Sequence, residues 1–534
     1  MAETNYDFIV VGAGSAGCAV AARLSEDPAN KVLLLEAGGR DTNPWIHIPV
    51  GYYRNIYHPA LSWGYQTEPD DKVGGRSITW PRGRVLGGSS AINGLVYMRG
   101  QSQDYDHWAQ LGNRGWSYED VLPYFRKSED QERGEDEFHG VGGPLQVSDI
   151  PDRRPICEAF IEAATERGIP RNDDFNGAAQ EGVGYFQTTS RNGRRISAAT
   201  AYLKPARGRK NLNVVTDALA SRVVVDEGKA VGVEWTSHGI PYSAACSGEV
   251  ILSGGAINSP QLLQLSGIGP AEHLQSLGID VVQGLEGVGR DLQDHYQVRA
   301  VYELQGAASL NTDVQNPIKK AMMGLEYLLH RTGPLTISAG QVGLFAKTRP
   351  ELDSPDIQFH FIPFSAEKPG EGLHPFPAVT ASICQLRPES RGEVMIRSTS
   401  PSDHPKIDAN YLATEGDRRT IIDGMKMNRW ISQAPAFAKY VKLEREPGDE
   451  RQSDEDLLEF ARERGNTIFH PSATCRMGTD ERAVVDDRLR VKGIRGLRVA
   501  DCSIMPTVVS GNTNAPAIMV GEKCAAMIRE ETHG

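Results

Sequence analysis

Residues 7–36 read DFIVVGAGSAGCAVAARLSEDPANKVLLLE. An apolar run of strand length (7–11) stops at a glycine. A small, apolar segment (16–24) can then pack on a sheet as a helix, and a second apolar run (31–35) returns and ends at Glu36. That order predicts a βαβ unit, right-handed by the general rule for parallel crossovers. Gly12, Gly14 and Gly17 make Gly-x-Gly-x-x-Gly at the strand-to-helix turn. The first glycine permits the tight turn, the second lets a pyrophosphate approach the backbone, and the third lets helix and strand pack closely. Ser15 opens a helix whose free N–H groups favour phosphate. Glu36, followed by Ala37, stands where an acid accepts hydrogen bonds from ribose hydroxyls. The stretch predicts dinucleotide binding but does not separate a nicotinamide from a flavin.

Outward from this unit, strand-like runs recur at 213–215, 222–225, 231–235 and 249–252, the last followed by a helical pattern from Ser259. A final strand-to-helix step spans 497–501 and 515–529. Elements of a nucleotide fold therefore lie at both ends of the chain and in its middle. Residues 300–465 differ, with more proline and aromatics and segments such as 356–363 that alternate like an antiparallel strand. The expected fold class is α/β: a Rossmann-like dinucleotide domain assembled from discontinuous segments (1–155, 200–300 and 466–534), with an α+β substrate domain containing an antiparallel sheet (156–199 and 301–465) over its mouth. No repeat of fixed period is visible, which excludes solenoids and propellers.

Composition narrows the function. A chain of 534 residues, 39% apolar and 24% charged, is too long for one small module and can bury a substantial core. Fifty-seven basic against 69 acidic residues leave a net charge of −12, so no basic face for a nucleic-acid or anionic-membrane partner is expected. Seven scattered cysteines form no Cys-x-x-Cys pair, there is no His-Glu-x-x-His, and no metal site is expected. Gly-x-Ser-x-Gly, the mark of a serine hydrolase, is absent. The N-terminus has no basic region before its first strand, and the uncharged runs 250–271 and 502–521 are broken by Gly, Pro and Asn. These read as buried loops and helix starts rather than membrane spans, and the expected address is cytoplasmic. Oligomeric state leaves no trace in the sequence.

Three further stretches carry more information: 83–100 (GRVLGGSSAINGLVYMRG), 255–269 (GAINSPQLLQLSGIG) and 470–478 (HPSATCRMG), the last joined by Asp501 and 511–516 (GNTNAP). Together they resemble the signature segments of the glucose–methanol–choline (GMC) family of FAD-dependent alcohol oxidoreductases, along essentially the whole chain. The resemblance implies an N-terminal family region of about 5–300, a C-terminal one of about 385–525, and FAD as cofactor. It implies flavin contact for Val85, Gly88, Asn93, Gly94, Leu95 and Val96, an adenine contact at Val223, and Asp501 near the ribityl chain. Asn512 and Thr513 would lie near the pyrimidine edge of the ring. His470 would be the catalytic base, Asn514 its partner, and His360 a substrate-side residue. Ile92 stands where some members attach FAD through a histidine, so the cofactor is expected to be non-covalent. The 255–269 stretch is expected to be mainly architectural.

The residue types suit that chemistry. Oxidising an alcohol removes a tightly held O–H proton, which a neutral imidazole can accept, while an amide holds the developing alkoxide. The expected reaction is primary alcohol (aliphatic or aromatic) to aldehyde, with electrons passing to a quinone-type acceptor. An oxygen-using oxidase and a choline dehydrogenase are the alternatives within the family, and a non-catalytic flavin-binding redox protein is the alternative outside it. Quinone delivery implies peripheral contact with the cytoplasmic membrane, although no amphipathic basic helix is evident in the sequence.

Overall fold

The computed structural model describes residues 5–368 and 370–533. The βαβ unit forms as strand Asn5–Val11, helix Ser15–Leu24 and strand Val32–Leu35. Ile9, Val10 and Leu34 are fully buried, as expected for parallel strands covered on both faces. Leu212–Val215 pairs parallel with Val32–Leu35 on one side. On the other side Ile240–Leu252 pairs parallel with Asn5–Val11, and Leu497–Val499 pairs parallel with the end of Ile240–Leu252. The first half of Ile240–Leu252 instead continues an antiparallel hairpin made by Leu219–Asp226 and Lys229–Ser237. Across the parallel strands Val11, Leu35, Val215, Leu252 and Val499 fall in register. The segments that follow them, from Gly12, Glu36, Ser253 and Ala500, therefore meet at one carboxyl edge, where open α/β sheets bind ligands.

The second sheet is antiparallel, in the order Val441–Glu446, Tyr296–Leu304, Ala378–Gln385, Ile357–Ile362, Val342–Ala346 and Gly182–Tyr185. One face, including Val298, Phe359, Phe361 and Ile383, packs against helices Pro155–Glu166 and Glu415–Ser432 through Phe160, Ile421 and Met425. The opposite face turns toward the carboxyl edge of the first sheet, and the cleft between them is lined from both. Tyr296–Leu304 runs through residue 300, where a domain boundary was expected. It belongs to the second sheet along its whole length, because its pairing with Ala378–Gln385 is unbroken from Gln297 to Glu303.

The C-terminal helix Asn514–His533 lies against Ser15–Leu24. A Cβ on Gly521 would come within 2.5 Å of the Ala16 carbonyl oxygen, so the two backbones approach as closely as glycine allows. Fully buried Glu522 ties the pair together: it meets the Arg23 guanidinium at 2.8 Å and accepts from the Tyr202 hydroxyl at 2.8 Å. Among the described residues no helix is long and apolar enough to cross a membrane, no cluster of side chains suits a metal, and all seven cysteines are unpaired.

Candidate active site

At the dinucleotide end of the cleft two glycines are required by the protein itself. Gly12 has φ +100°, and a Cβ there would lie 2.5 Å from the Ser253 carbonyl oxygen. A Cβ on Gly17 would lie 1.9 Å from the Gly12 oxygen. Gly14 differs: the nearest atom to its would-be Cβ is 3.9 Å away, and it starts the helix with no side-chain cap. Packing does not demand a glycine there, whereas a pyrophosphate resting on the helix N–H groups does. Glu36 accepts from Ala13 N–H (3.0 Å) and Gly38 N–H (2.8 Å), and burial pushes its carboxyl up to about 7. Each oxygen keeps a lone pair for a ribose hydroxyl. Gly12, Gly14, Ser15, Glu36 and Ala37 all line the cleft.

Two expected contacts are not brought to it. Val223 is buried, with its N–H donating to Ser266 Oγ at 2.8 Å. Leu219 and Ala220 line the cleft instead, since the carboxyl edge lies at the start of that strand and Val223 is about 10 Å further along it at ~3.3 Å per residue. Val85 packs with Ile46, Leu61, Ala91 and Ile92, and its carbonyl accepts from Gly88 N–H at 2.7 Å. It shapes the turn from below rather than facing the cleft.

Gly88, Asn93, Gly94, Leu95 and Val96 do line it. Leu95 has φ +67°, uncommon for a side-chain-bearing residue, and Arg195 holds the segment in place. Its guanidinium donates to Asn93 Oδ1 (2.6 Å), Asn93 O (2.7 Å), Ser90 O (3.2 Å) and Ile46 O (2.9 Å). Asp501 accepts from Gly255 N–H (2.9 Å), Ser259 Oγ (2.6 Å) and Ser503 N–H (2.8 Å). It thereby fixes the start of helix Gly255–Leu265 at the cleft floor. Thr513 lines the same floor.

The histidine site is built with more strain. Phe469 and Ala473 both have positive φ (+73° and +72°), bracketing His470 and Pro471. Arg82 Nη2 donates to Phe469 O (2.7 Å), Phe469 N–H to Thr467 Oγ1 (2.7 Å) and His470 N–H to Asp294 Oδ1 (2.7 Å). Asp294 also accepts from Thr467 Oγ1 and from the Tyr411 hydroxyl. These bonds impose the loop conformation that Phe469 would not adopt alone.

Four hydrogen bonds then run one way through the site. Gln358 Nε2–H donates to Asn512 Oδ1 (3.2 Å), which turns the Asn512 amide nitrogen toward His470 Nε2 (3.2 Å). His470 Nδ1 faces His295 Nδ1 at 2.9 Å, and His295 Nε2 faces the Leu386 carbonyl at 2.9 Å. A carbonyl only accepts, so His295 carries its proton on Nε2. Burial pulls the His295 pKa down to about 4, which keeps the ring neutral and leaves a lone pair on Nδ1. His470 must donate to that lone pair from Nδ1. Burial, reinforced by His295, His360 and Arg82, holds His470 well below the ordinary imidazole range. Its remaining lone pair is therefore on Nε2, beside Asn512.

Asn514 is not part of this chain. As the first residue of a helix docked on Ser15–Leu24, its Oδ1 accepts from Ser15 Oγ at 2.8 Å. The amide beside His470 is Asn512, expected at the pyrimidine edge of the ring. His360 lies on the cleft wall, 4% exposed and stacked on Phe186. Neither of its ring nitrogens has a hydrogen-bond partner, and burial pulls it down to about 4. His295, Gln358 and Arg195 were not anticipated from sequence; the alternation in 356–363 marked an antiparallel strand without showing that its polar side faces the cleft.

The cleft therefore combines a cradle for a dinucleotide with a neutral imidazole whose free lone pair faces a carboxamide. Comparisons with known proteins identify the family. The family model for GMC oxidoreductase matches in two parts, its N-terminal part over residues 6–297 and its C-terminal part over 388–521. An alcohol dehydrogenase [acceptor] of Pseudomonas putida is 44% identical over 98% of this chain and 95% of its own. The mitochondrial choline dehydrogenase of Homo sapiens is also 44% identical, over 98% and 90%. Among solved structures, pyridoxine 4-oxidase from Mesorbium loti superposes with a TM-score of 0.88 at 32% identity, covering 99% of this chain and all of the other. Formate oxidase of Aspergillus oryzae, whose structures address FAD modification, reaches 0.92 at 27% identity and 99% coverage of each chain. The chain belongs to the GMC oxidoreductase family: it is an FAD-dependent enzyme acting on CH–OH donors.

Proposed function

We propose that the protein oxidises a primary alcohol to its aldehyde, with His470 accepting the hydroxyl proton at Nε2. The observation that carries this reading is the one-way hydrogen-bond chain, which leaves the lone pair of a neutral imidazole at the cleft. Bound in the cleft, FAD supplies the hydride acceptor. The 3.2 Å separation between Asn512 and His470 is the loosest link to the base. A hydroxyl that enters there donates to Nε2 and accepts from the Asn512 amide, which then holds the oxygen as negative charge develops. His295 keeps the proton of His470 on Nδ1, and Arg82 with Asp294 holds the backbone that positions the ring. His470→Ala should retain its flavin spectrum while alcohol-driven bleaching in the absence of oxygen slows by about 10²–10⁴-fold. An unmodified protein that no primary alcohol bleaches would refute primary alcohols as its substrates.

The acceptor in this reading is a quinone. Support comes from helix Pro317–His330, on which Ile318, Met322, Leu325, Leu328 and Leu329 are 55–70% exposed. Their spacing forms one apolar stripe, with Lys319 and Lys320 near one end and Arg331 just beyond the other. The inner side of the helix, Met323, packs in a cluster with Phe364 and Tyr53, both of which line the cleft. An anionic lipid surface matches this combination of apolar stripe and positive ends, and would bring a lipid-soluble acceptor to the wall of the cleft. Turnover assayed in parallel with a quinone, a dye and oxygen should favour the quinone; faster turnover with oxygen would make the protein an oxidase.

A further inference from the structure

We infer that the alcohol oxidised here carries an anionic group, in the simplest case a carboxylate, which Arg299 binds; this rests on the alcohol-oxidising reading above. The cleft wall opposite the dinucleotide is the polar face of the second sheet. Arg299 and His360 are both cross-strand partners of Ser382, so the three form one row on that face, and all three line the cleft. Their neighbours along the strands, Val298, Phe359 and Ile383, point the other way into the core.

Arg299 is half-buried and, among the described residues, its guanidinium makes no hydrogen bond and no ion pair. The other arginines of the region are engaged: Arg82 with carbonyl oxygens at Pro81 and Phe469, Arg195 with four acceptors on the flavin-side segment. Partly dehydrating a cation is costly unless an acceptor replaces the lost water. Among the described residues no side chain of the cleft accepts from it. Among the described residues its only carboxylates are Glu36 and Asp501, both at the dinucleotide end and both already held by backbone N–H groups. His360, in the same row, is a second polar group buried without a partner.

The substrate end of the cleft therefore presents an uncompensated positive charge and an unsatisfied neutral imidazole between apolar walls that include Tyr52, Ile362 and Phe364. A carboxylate satisfies the guanidinium with paired N–H donors, whereas a quaternary ammonium meets repulsion with no carboxylate among the described lining residues at that end to offset it. Position adds a length. Arg299 lies four residues from His295, which immediately precedes the same strand and touches His470, a backbone spacing of roughly 13 Å at ~3.3 Å per residue. The anion thus sits several bonds from the carbinol rather than beside it, with an apolar spacer between.

Three matched probes test the inference: 4-(hydroxymethyl)benzoate, its methyl ester, and the corresponding trimethylammonium-substituted benzyl alcohol. Each is mixed anaerobically with the FAD-loaded enzyme and flavin bleaching is followed. The carboxylate should exceed the ester in kcat/KM by ~10- to 100-fold, the range of a charge-assisted contact, with the cation poorest. Arg299→Met should lower the carboxylate-to-ester ratio by a similar factor, mainly through KM, and Arg299→Lys should restore part of it. Equal use of carboxylate and ester, or a ratio unmoved in Arg299→Met, would overturn the inference. Benzoate, which cannot be oxidised, supplies a separate readout: it should perturb the flavin absorbance of the unmodified protein at lower concentration than of Arg299→Met. If benzoate binds in this way but none of the three alcohols bleaches the flavin, the anion site stands and the alcohol-oxidising reading falls.

Discussion

His470 and His295 illustrate how burial selects a proton position. Two imidazoles 2.9 Å apart could share a charge, but dehydration makes any charge costly, so both stay neutral and the Leu386 carbonyl orients the pair. The sign of the pH effect follows. A base whose pKa is lowered in the folded protein remains unprotonated below the ordinary imidazole value of about 6.5. The acid limb of kcat/KM should therefore lie below pH 6.5, with activity lost only as pH falls further; a limb at or above 6.5 would contradict the assignment. His295→Ala should retain the flavin yet lower kcat on the order of 10²-fold, because the His470 ring loses its orientation. Ile92, buried at the cleft wall, offers no bond to the cofactor. Acid precipitation should leave flavin colour in the supernatant, and colour retained on the pellet would refute non-covalent attachment.

At the level of elements, the close approach of Ser15–Leu24 and Asn514–His533 joins the dinucleotide cradle to the substrate floor. Gly521→Val would drive a side chain into the Ala16 backbone, which cannot yield as a flexible side chain would. The expected cost is about 1–3 kcal/mol, read as a lower thermal midpoint together with weaker FAD retention. A variant with unchanged midpoint and FAD affinity would show that the helices can separate without consequence. The strand Ile357–Ile362 shows where sequence patterning runs out. Its alternation of Gln358 and His360 with Ile357, Phe359 and Phe361 is visible in the sequence, yet every one of these residues is buried. The polar side faces the cleft, because a second layer covers it. Asn512 and Asn514 make the same point at shorter range: both lie in GNTNAP, and only the docking of the final helix determines which amide meets His470.

The whole molecule closes one cleft between two sheets built from interleaved segments. Its net charge of −12 opposes general attraction to anionic membranes, so any binding must come from a local feature. Helix Pro317–His330 is that feature in our proposal. The FAD-loaded protein should co-sediment with vesicles containing phosphatidylglycerol more than with purely zwitterionic ones. The combined Ile318→Ser, Leu325→Ser and Leu328→Ser variant should remain in the supernatant with its soluble-alcohol activity intact. Vesicle binding unaffected by those changes would place the contact elsewhere, and no binding at all would remove it.

Short-range pattern was enough for the dinucleotide cradle. Gly17 and the acid at 36 answer to steric and hydrogen-bond demands met within one βαβ unit, which close neighbours along the chain can express. The catalytic surroundings are different in kind. His295 with Arg299, Gln358 and Asn512 come from three distant segments, and each has its character only because the others dehydrate, orient or leave it unpaired. Burial and partnership are properties of the packed molecule, so the proton on His470 and the unanswered charge on Arg299 emerge only when both sheets are in place.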